Sequence, residues 1–200
     1  MKYSVIIPVY NRPAEVGELL ESIAGQPRPD VEIIIVEDGS QTTCEEVVAR
    51  FQNRLNITYL KKENGGPAAA RNYGAQQASG EWLIILDSDV VLPPGYFEAV
   101  DSGTENLGCD AFGGPDKAAD SFTPVQKAIS YAMTSFFTTG GIRGGKKKMD
   151  KFYPRSYNMG IRSEVYRKLG GFAKMRFGED IDFSYRIVEN GYKACLIPGA

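Results

Sequence analysis

Trp82-Leu83-Ile84-Ile85-Leu86-Asp87-Ser88-Asp89 is the stretch that decides the fold. Its apolar residues follow one another without alternation, which suits a strand covered on both faces, as in the centre of a parallel sheet. The run then ends in two carboxylates separated by one residue. Hard oxygen ligands therefore stand at the mouth of the sheet, where a divalent cation and a phosphate can meet. An Asp-x-Asp alone would be weak evidence, but at the end of a buried strand it is strong.

The flanking sequence repeats the same grammar. Tyr3 to Pro8 and Val31 to Val36 are further short β-branched runs, and both read as central strands. Between them, Pro13 suits a first helical turn, and Val16, Leu19, Leu20 and Ile23 form one apolar stripe. Thr43-Cys44-Glu45-Glu46 reads as a capping box opening a helix through Phe51, with a strand from Ile57 to Leu60 after it. Gly65-Gly66-Pro67 opens an alanine-rich helix reaching Ala78, and the strand Glu81 to Leu86 follows. Strands alternating with helices imply an α/β fold: a mostly parallel central sheet with helices on both faces.

Beyond Asp89, Pro93-Pro94 is expected to start a short helix and Asp110 to Gly113 to form a strand. Val125, Ala128, Ile129, Ala132, Met133, Phe136 and Phe137 make a helical stripe between Thr123 and Phe137. The segment Gly140 to Lys151 is rich in glycine and basic residues and reads as a loop. Helices are expected near Ser163 to Leu169 and Glu179 to Asn190, and a last strand from Lys193 to Ile197. No internal repeat is visible.

A length of 200 residues fits one domain with a full core. With 23 basic and 25 acidic residues the net charge is -2, which gives no electrostatic footprint for a nucleic-acid partner. Cys44, Cys109 and Cys195 are odd in number and widely spaced, so neither a disulfide framework nor a zinc site is expected, and a reducing cytoplasm is the simpler location. The N-terminus lacks an export pattern, and no apolar run reaches the roughly 20 residues of a membrane-spanning helix. The chain contains no histidine, which excludes Ser-His-Asp and Cys-His catalysis. Acid-base work falls to carboxylates.

Three acidic positions stand just after expected strands or at a helix entrance: Asp38, the Asp87/Asp89 pair, and Glu179-Asp180. Singly, each is an ordinary turn or cap residue. Together with Ser4-Val5-Ile6-Ile7-Pro8-Val9-Tyr10-Asn11, Glu32 to Ser40, Asn64-Gly65-Gly66-Pro67-Ala68-Ala69-Ala70-Arg71-Asn72 and Gly178-Glu179-Asp180, they give a sequence that closely resembles the family 2 glycosyltransferases, in the family's order and over nearly the whole chain.

The resemblance implies the GT-A fold, an inverting transfer from a nucleotide-sugar donor that is UDP-linked, and a saccharide or lipid-linked acceptor in surface polysaccharide synthesis. Pro8, Val9, Tyr10 and Asp38 match the family's nucleoside pocket, and Arg71 matches an arginine near the nucleotide. Asp87, Ser88 and Asp89 match the DXD motif, in which Asp89 ligates Mn²⁺ or Mg²⁺ and Asp87 contacts ribose or metal-bound water. Asp180 matches the catalytic base. Asp182 reads as structural. By the same resemblance, residues 1–90 form a nucleotide-binding half and 91–200 an acceptor-binding half of one domain cut short at its C-terminus, since family members usually continue past Pro198-Gly199-Ala200.

The sequence also departs from the family pattern: Glu37 stands where an aspartate is common, and Thr42 or Thr43 where an acidic residue often follows. The stripe before Phe137 and the basic residues Arg143, Lys146, Lys147 and Lys148 leave two readings open. The helix packs on the sheet beside solvated lysines, or the pair meets a lipid diphosphate or the inner face of an anionic membrane. Two rival functions fit the sequence less well. A nucleotidyltransferase would carry a glycine-rich phosphate loop where Tyr10-Asn11-Arg12-Pro13 stands, and a non-catalytic sugar-nucleotide-binding module would not need every acidic element.

Overall fold

The unbroken apolar runs become the middle of a seven-stranded sheet. The computed structural model describes residues 2–26, 28, 30–115, 151–175 and 177–200. In chain order the elements are β1 (Tyr3–Val9), α1 (Pro13–Ala24), β2 (Val31–Asp38), α2 (Glu45–Ala49), β3 (Ile57–Lys62), α3 (Pro67–Gln77), β4 (Trp82–Leu86), α4 (Tyr96–Leu107), β5 (Ala111–Gly113), β6 (Asn158–Arg162), α5 (Ser163–Leu169), α6 (Glu179–Glu189) and β7 (Ala194–Leu196). The sheet order is β3-β2-β1-β4-β6-β5-β7. β1 pairs in parallel with β2 and β4, and β2 with β3, whereas β6 runs antiparallel to both of its neighbours.

The two faces of the sheet explain why the strands lack alternation. Val5, Ile7 and Val9 of β1 pack with the stripe of α1, with Val48 of α2, and with Tyr96, Phe97 and Val100 of α4. Ile6, between them, points to the opposite face and joins Ile34, Val36, the alanines of α3, Tyr166 of α5 and Phe183 of α6. The central strands β1, β2 and β4 are thus buried on both faces, and three layers result. The alanine-rich composition of α3 lets it lie close to the sheet: a Cβ on Gly74 would come 2.7 Å from Ile6 and 3.1 Å from Val36.

Three local expectations are corrected. The capping box at Thr43 does not form. α2 has Cys44 as its N-cap with no side-chain cap bond, and it ends at Ala49 because residues 50–54 continue as a turn. The Cys44 amide donates 2.9 Å to Glu37 Oε2, so a carboxylate from β2 ties down the start of the helix. α4 is not short; it runs 12 residues from Tyr96, one residue after a turn through Pro93-Pro94 and left-handed Gly95. The helical stripe over 123–137 and the basic loop, except for Lys151, lie outside the described residues. Among the described residues no helix is long and apolar enough to cross a membrane.

β6 was not anticipated, since Gly160 interrupts its apolar pattern. The register shows why glycine sits there: Gly160 faces Phe112 of β5, and an added Cβ would fall 1.9 Å from the ring. Gly160→Ala is therefore expected to lower stability by roughly 1–3 kcal/mol through overpacking, seen as a fall of a few degrees in thermal unfolding. An unchanged melting temperature would show that Phe112 can move aside freely.

Candidate functional site

β1 lies at the point where the strand order reverses, with β2 on one side and β4 on the other. The carboxyl ends of these parallel strands splay apart there and leave a crevice, the usual ligand site of such sheets. The crevice is a cleft of about 520 Å³. It is lined by Pro8, Val9, Tyr10 and Arg12 after β1, Asp38 at the end of β2, Asn64, Gly66, Pro67 and Arg71 around the start of α3, and Asp87, Ser88 and Asp89 after β4. Eight of the nine residues expected from the sequence meet in this one place. The ninth, Asp180, is at the first turn of α6 and reaches the group through intermediaries.

Arg71 makes that connection. Its side chain is 5% exposed; Nη2 donates 2.9 Å to Asp87 Oδ1 and Nη1 donates 3.0 Å to Glu179 Oε1. The guanidinium carbon lies 5.2 Å from the centre of the Phe172 ring. One cation thus ties the end of β4 to the start of α6. Its Nε is buried and has no hydrogen-bond partner among the described residues. A buried donor of this kind costs free energy until an acceptor reaches it.

Asp38 is nearly fully buried. Oδ1 accepts the Gly65 amide at 2.9 Å and the Lys62 ammonium, and Oδ2 accepts the Gly66 amide at 2.8 Å. Of about four lone-pair sites on a carboxylate, three are used, so Asp38 shapes the Gly65-Gly66 loop while keeping one acceptor position. The loop needs its glycines: Gly66 takes φ 85° as the N-cap of α3, and Gly39 takes φ 75° with Asn64 packed where a Cβ would be.

Glu37, the departure from the family pattern, is buried beside the cleft. It accepts hydrogen bonds from Ser40 Oγ, from Tyr59 OH at 2.7 Å and from the Cys44 amide. Burial alone would raise its pKa, but these donors outweigh it and hold the carboxyl below its ordinary value. Burial and the adjacent Glu37 push the Cys44 thiol up to about 12. The extra methylene of glutamate gives the carboxylate a structural role, joining β2, β3 and α2.

Asp180 Oδ2 accepts Arg155 Nε at 2.7 Å. Arg155 belongs to a short segment held to α6 at three points, since Tyr153 stacks on Tyr185 with centroids 6.5 Å apart and Ser184 Oγ donates to the Pro154 carbonyl. Asp182 accepts Arg186 within the helix at 2.8 Å, which is the structural role expected of it. Sequence reading missed Arg12, Lys62, Arg155 and the pairing of Glu179, because each depends on a partner distant in the chain.

Asp87 and Asp89 present hard oxygen donors to the cleft. Among the described residues, no group of three or more His, Cys, Asp or Glu is placed to form a protein-only metal cage. One or two carboxylates completed by substrate phosphate oxygens and water is the usual way to hold Mg²⁺, and this donor set fits that habit.

Fold and cleft together are those of a GT-A type α/β domain. The chain belongs to the glycosyl transferase family 2, whose sequence profile matches residues 4–170. It is 39% identical over 93 residues to the poly(ribitol-phosphate) beta-N-acetylglucosaminyltransferase TarS of Staphylococcus aureus strain Mu50, covering 44% of this chain and 16% of that protein. It is 32% identical over 194 residues to an uncharacterized glycosyltransferase of Haemophilus influenzae, covering 93% of this chain and 62% of the other. The crystal structure of S. aureus TarS 1–349 in complex with UDP-GlcNAc superposes with a TM-score of 0.78 at 23% identity, covering all of this chain and 57% of that one. The mannosyltransferase PcManGT from Pyrobaculum calidifontis, in complex with GDP-Man and Mn²⁺, gives 0.72 at 22% identity, with 98% and 55% covered. The chain thus spans only part of the length of each relative, from 16% to 62%.

Replacing the shared cation tests the geometry. Arg71→Ala should cost roughly 2–3 kcal/mol, somewhat below the range for a fully buried pair because Asp87 is partly exposed. Arg71→Lys should recover less than half of that, since a single ammonium cannot serve two carboxylates in a fork. Denaturant unfolding would show this, and a lysine variant as stable as wild type would contradict it.

Proposed function

We propose that the chain is the catalytic domain of an inverting glycosyltransferase that moves a sugar from a UDP-linked donor to a hydroxyl of a saccharide, polyol-phosphate or lipid-linked acceptor in surface polysaccharide synthesis. The observation that carries this reading is the Arg71 fork. It joins an Asp-x-Asp turn lining the nucleotide-side cleft to the helix whose second residue is Asp180. The bound UDP-GlcNAc of TarS and its poly(ribitol-phosphate) acceptor support a UDP donor and a polymer acceptor.

The charge of the cleft lining supports a role for a divalent cation. Two arginines against three aspartates leave it at a net -1, repulsive to a nucleoside diphosphate, and Mn²⁺ or Mg²⁺ would turn that to +1. Asp89 and Asp87 would hold the ion, which supplies charge neutralisation to the departing diphosphate.

Pro8, Val9 and Tyr10 frame the nucleobase, and the spare lone pair of Asp38 accepts from it. Ser88 and Asp87 border the ribose and diphosphate, and Arg71 offers its unpartnered Nε–H to the anion. On the acceptor side, Asp180 takes the hydroxyl proton while that oxygen attacks the anomeric carbon. The bond from carbon to the diphosphate oxygen breaks on the opposite face. A single displacement inverts the anomeric centre, and Arg155 fixes the orientation of Asp180. Residues 1–90 accordingly form the donor half and residues 91–200 the acceptor half.

The test is UDP release from a panel of UDP-sugars with a polymer acceptor. Asp180→Asn should lower turnover by roughly 10²–10⁴-fold, the usual contribution of a general base, while UDP binding stays near wild type. Turnover that survives this change would remove Asp180 from the mechanism.

A further inference from the structure

Two arginines hold two carboxylates in the cleft on unequal terms. Arg71 is buried and anchored at both ends of its fork. Arg12 holds Asp89 by one contact, Nη1 to Oδ2 at 2.8 Å, and the two side chains are 48% and 53% exposed. Breaking a buried pair is costly, whereas an exposed pair contributes little and exchanges readily. A cation entering the cleft therefore displaces Arg12 and leaves Arg71 in place.

The backbone sets Arg12 where it is. Asn11 is the only described non-glycine residue with positive φ, at 55°. Such a conformation persists where its surroundings fix it, and here they do. Asn11 Oδ1 accepts the Gln41 amide at 2.8 Å and the Thr42 amide at 2.9 Å, and the Asn11 amide donates to Ser40 Oγ at 2.8 Å. Ser40 in turn donates to Glu37. Pro13 restricts Arg12 from the other side, and Arg12 has φ -133° and ψ 55°. The loop after β1 is thus clamped to the loop after β2, and the result is an arginine beside Asp89, 77 residues further along the chain.

We infer that Arg12 is a stand-in cation: it occupies Asp89 in the metal-free protein, yields that carboxylate to a divalent cation, and then binds a phosphate oxygen of the donor in the cleft it lines. This rests on reading the cleft as a metal-dependent nucleoside-diphosphate site. A guanidinium released from a carboxylate suits phosphate, which it can bind through two N–H donors. Because the metal frees Arg12 for the diphosphate, each ligand favours the other, and this coupling is reciprocal.

The experiment measures free Mn²⁺ by electron paramagnetic resonance during titration of the protein, with and without UDP. Wild type, Arg12→Ala, Asp89→Ala and the double variant are compared. Arg12→Ala should tighten Mn²⁺ binding without UDP by about threefold, the scale of one exposed ion pair. It should also weaken UDP binding at saturating Mn²⁺ by about tenfold, the scale of one charge-assisted hydrogen bond. The tightening should vanish on the Asp89→Ala background. Equal Mn²⁺ affinity of wild type and Arg12→Ala, or a tightening that persists without Asp89, would overturn the inference and leave the metal-dependent reading intact. Absence of Mn²⁺ binding by wild type with UDP present would overturn that reading, and the inference with it.

Discussion

The buried Arg71 fork is the interaction on which the rest of the site depends. A guanidinium can meet two carboxylates at once with fixed geometry, so its position sets that of Asp87 on one side and Glu179 on the other. The first carboxylate belongs to the exit of β4, which lines the cleft, and the second precedes Asp180. Asp87 and Asp180 lie about 90 residues apart in sequence, yet one side chain links the segments that carry them. That side chain can be buried because α3 lies close against β1 and β2, a closeness allowed by Gly74 and the surrounding alanines.

The cleft wall is held as firmly as its hub. Asp38 uses three of about four acceptor positions on the Gly65 and Gly66 amides and the Lys62 ammonium, and Glu37 accepts from Ser40, Cys44 and Tyr59. These carboxylates fix the loops that wall the cleft. By contrast, Arg12 and Asp89 are exposed and loosely paired. Rigidity on the nucleotide side and exchangeability at the cation position are what a site needs if its metal and its diphosphate arrive from solution.

The legible part of the fold was the part governed by local pattern. β1, β2 and β4 announce themselves because a strand buried on both faces is largely apolar along its middle, and Asp87 and Asp89 are visible because they follow such a strand at once. β6 was hidden because Gly160 answers to Phe112, a residue on another strand, and not to its own neighbours. The Thr43 cap also turned on a distant residue: Glu37 of β2 binds the Cys44 amide, and Cys44, not Thr43, is the N-cap of α2. Arg12 and Arg155 carry no local signal, nor does the pairing of Glu179, since its ion pair with Arg71 spans 108 positions. Asp180 was readable only through its Gly178-Glu179-Asp180 context, and its partner Arg155 only from the structure.

The central claim is that this cleft receives a nucleoside diphosphate together with a divalent cation. Calorimetric titration of UDP and GDP into the protein, with and without Mn²⁺, tests it most directly, with Asp89→Ala as the control. The account predicts UDP binding that depends on Mn²⁺, exceeds that of GDP and is lost in the variant. Binding of UDP that is indifferent to both Mn²⁺ and Asp89, or no binding of either nucleotide, would contradict it.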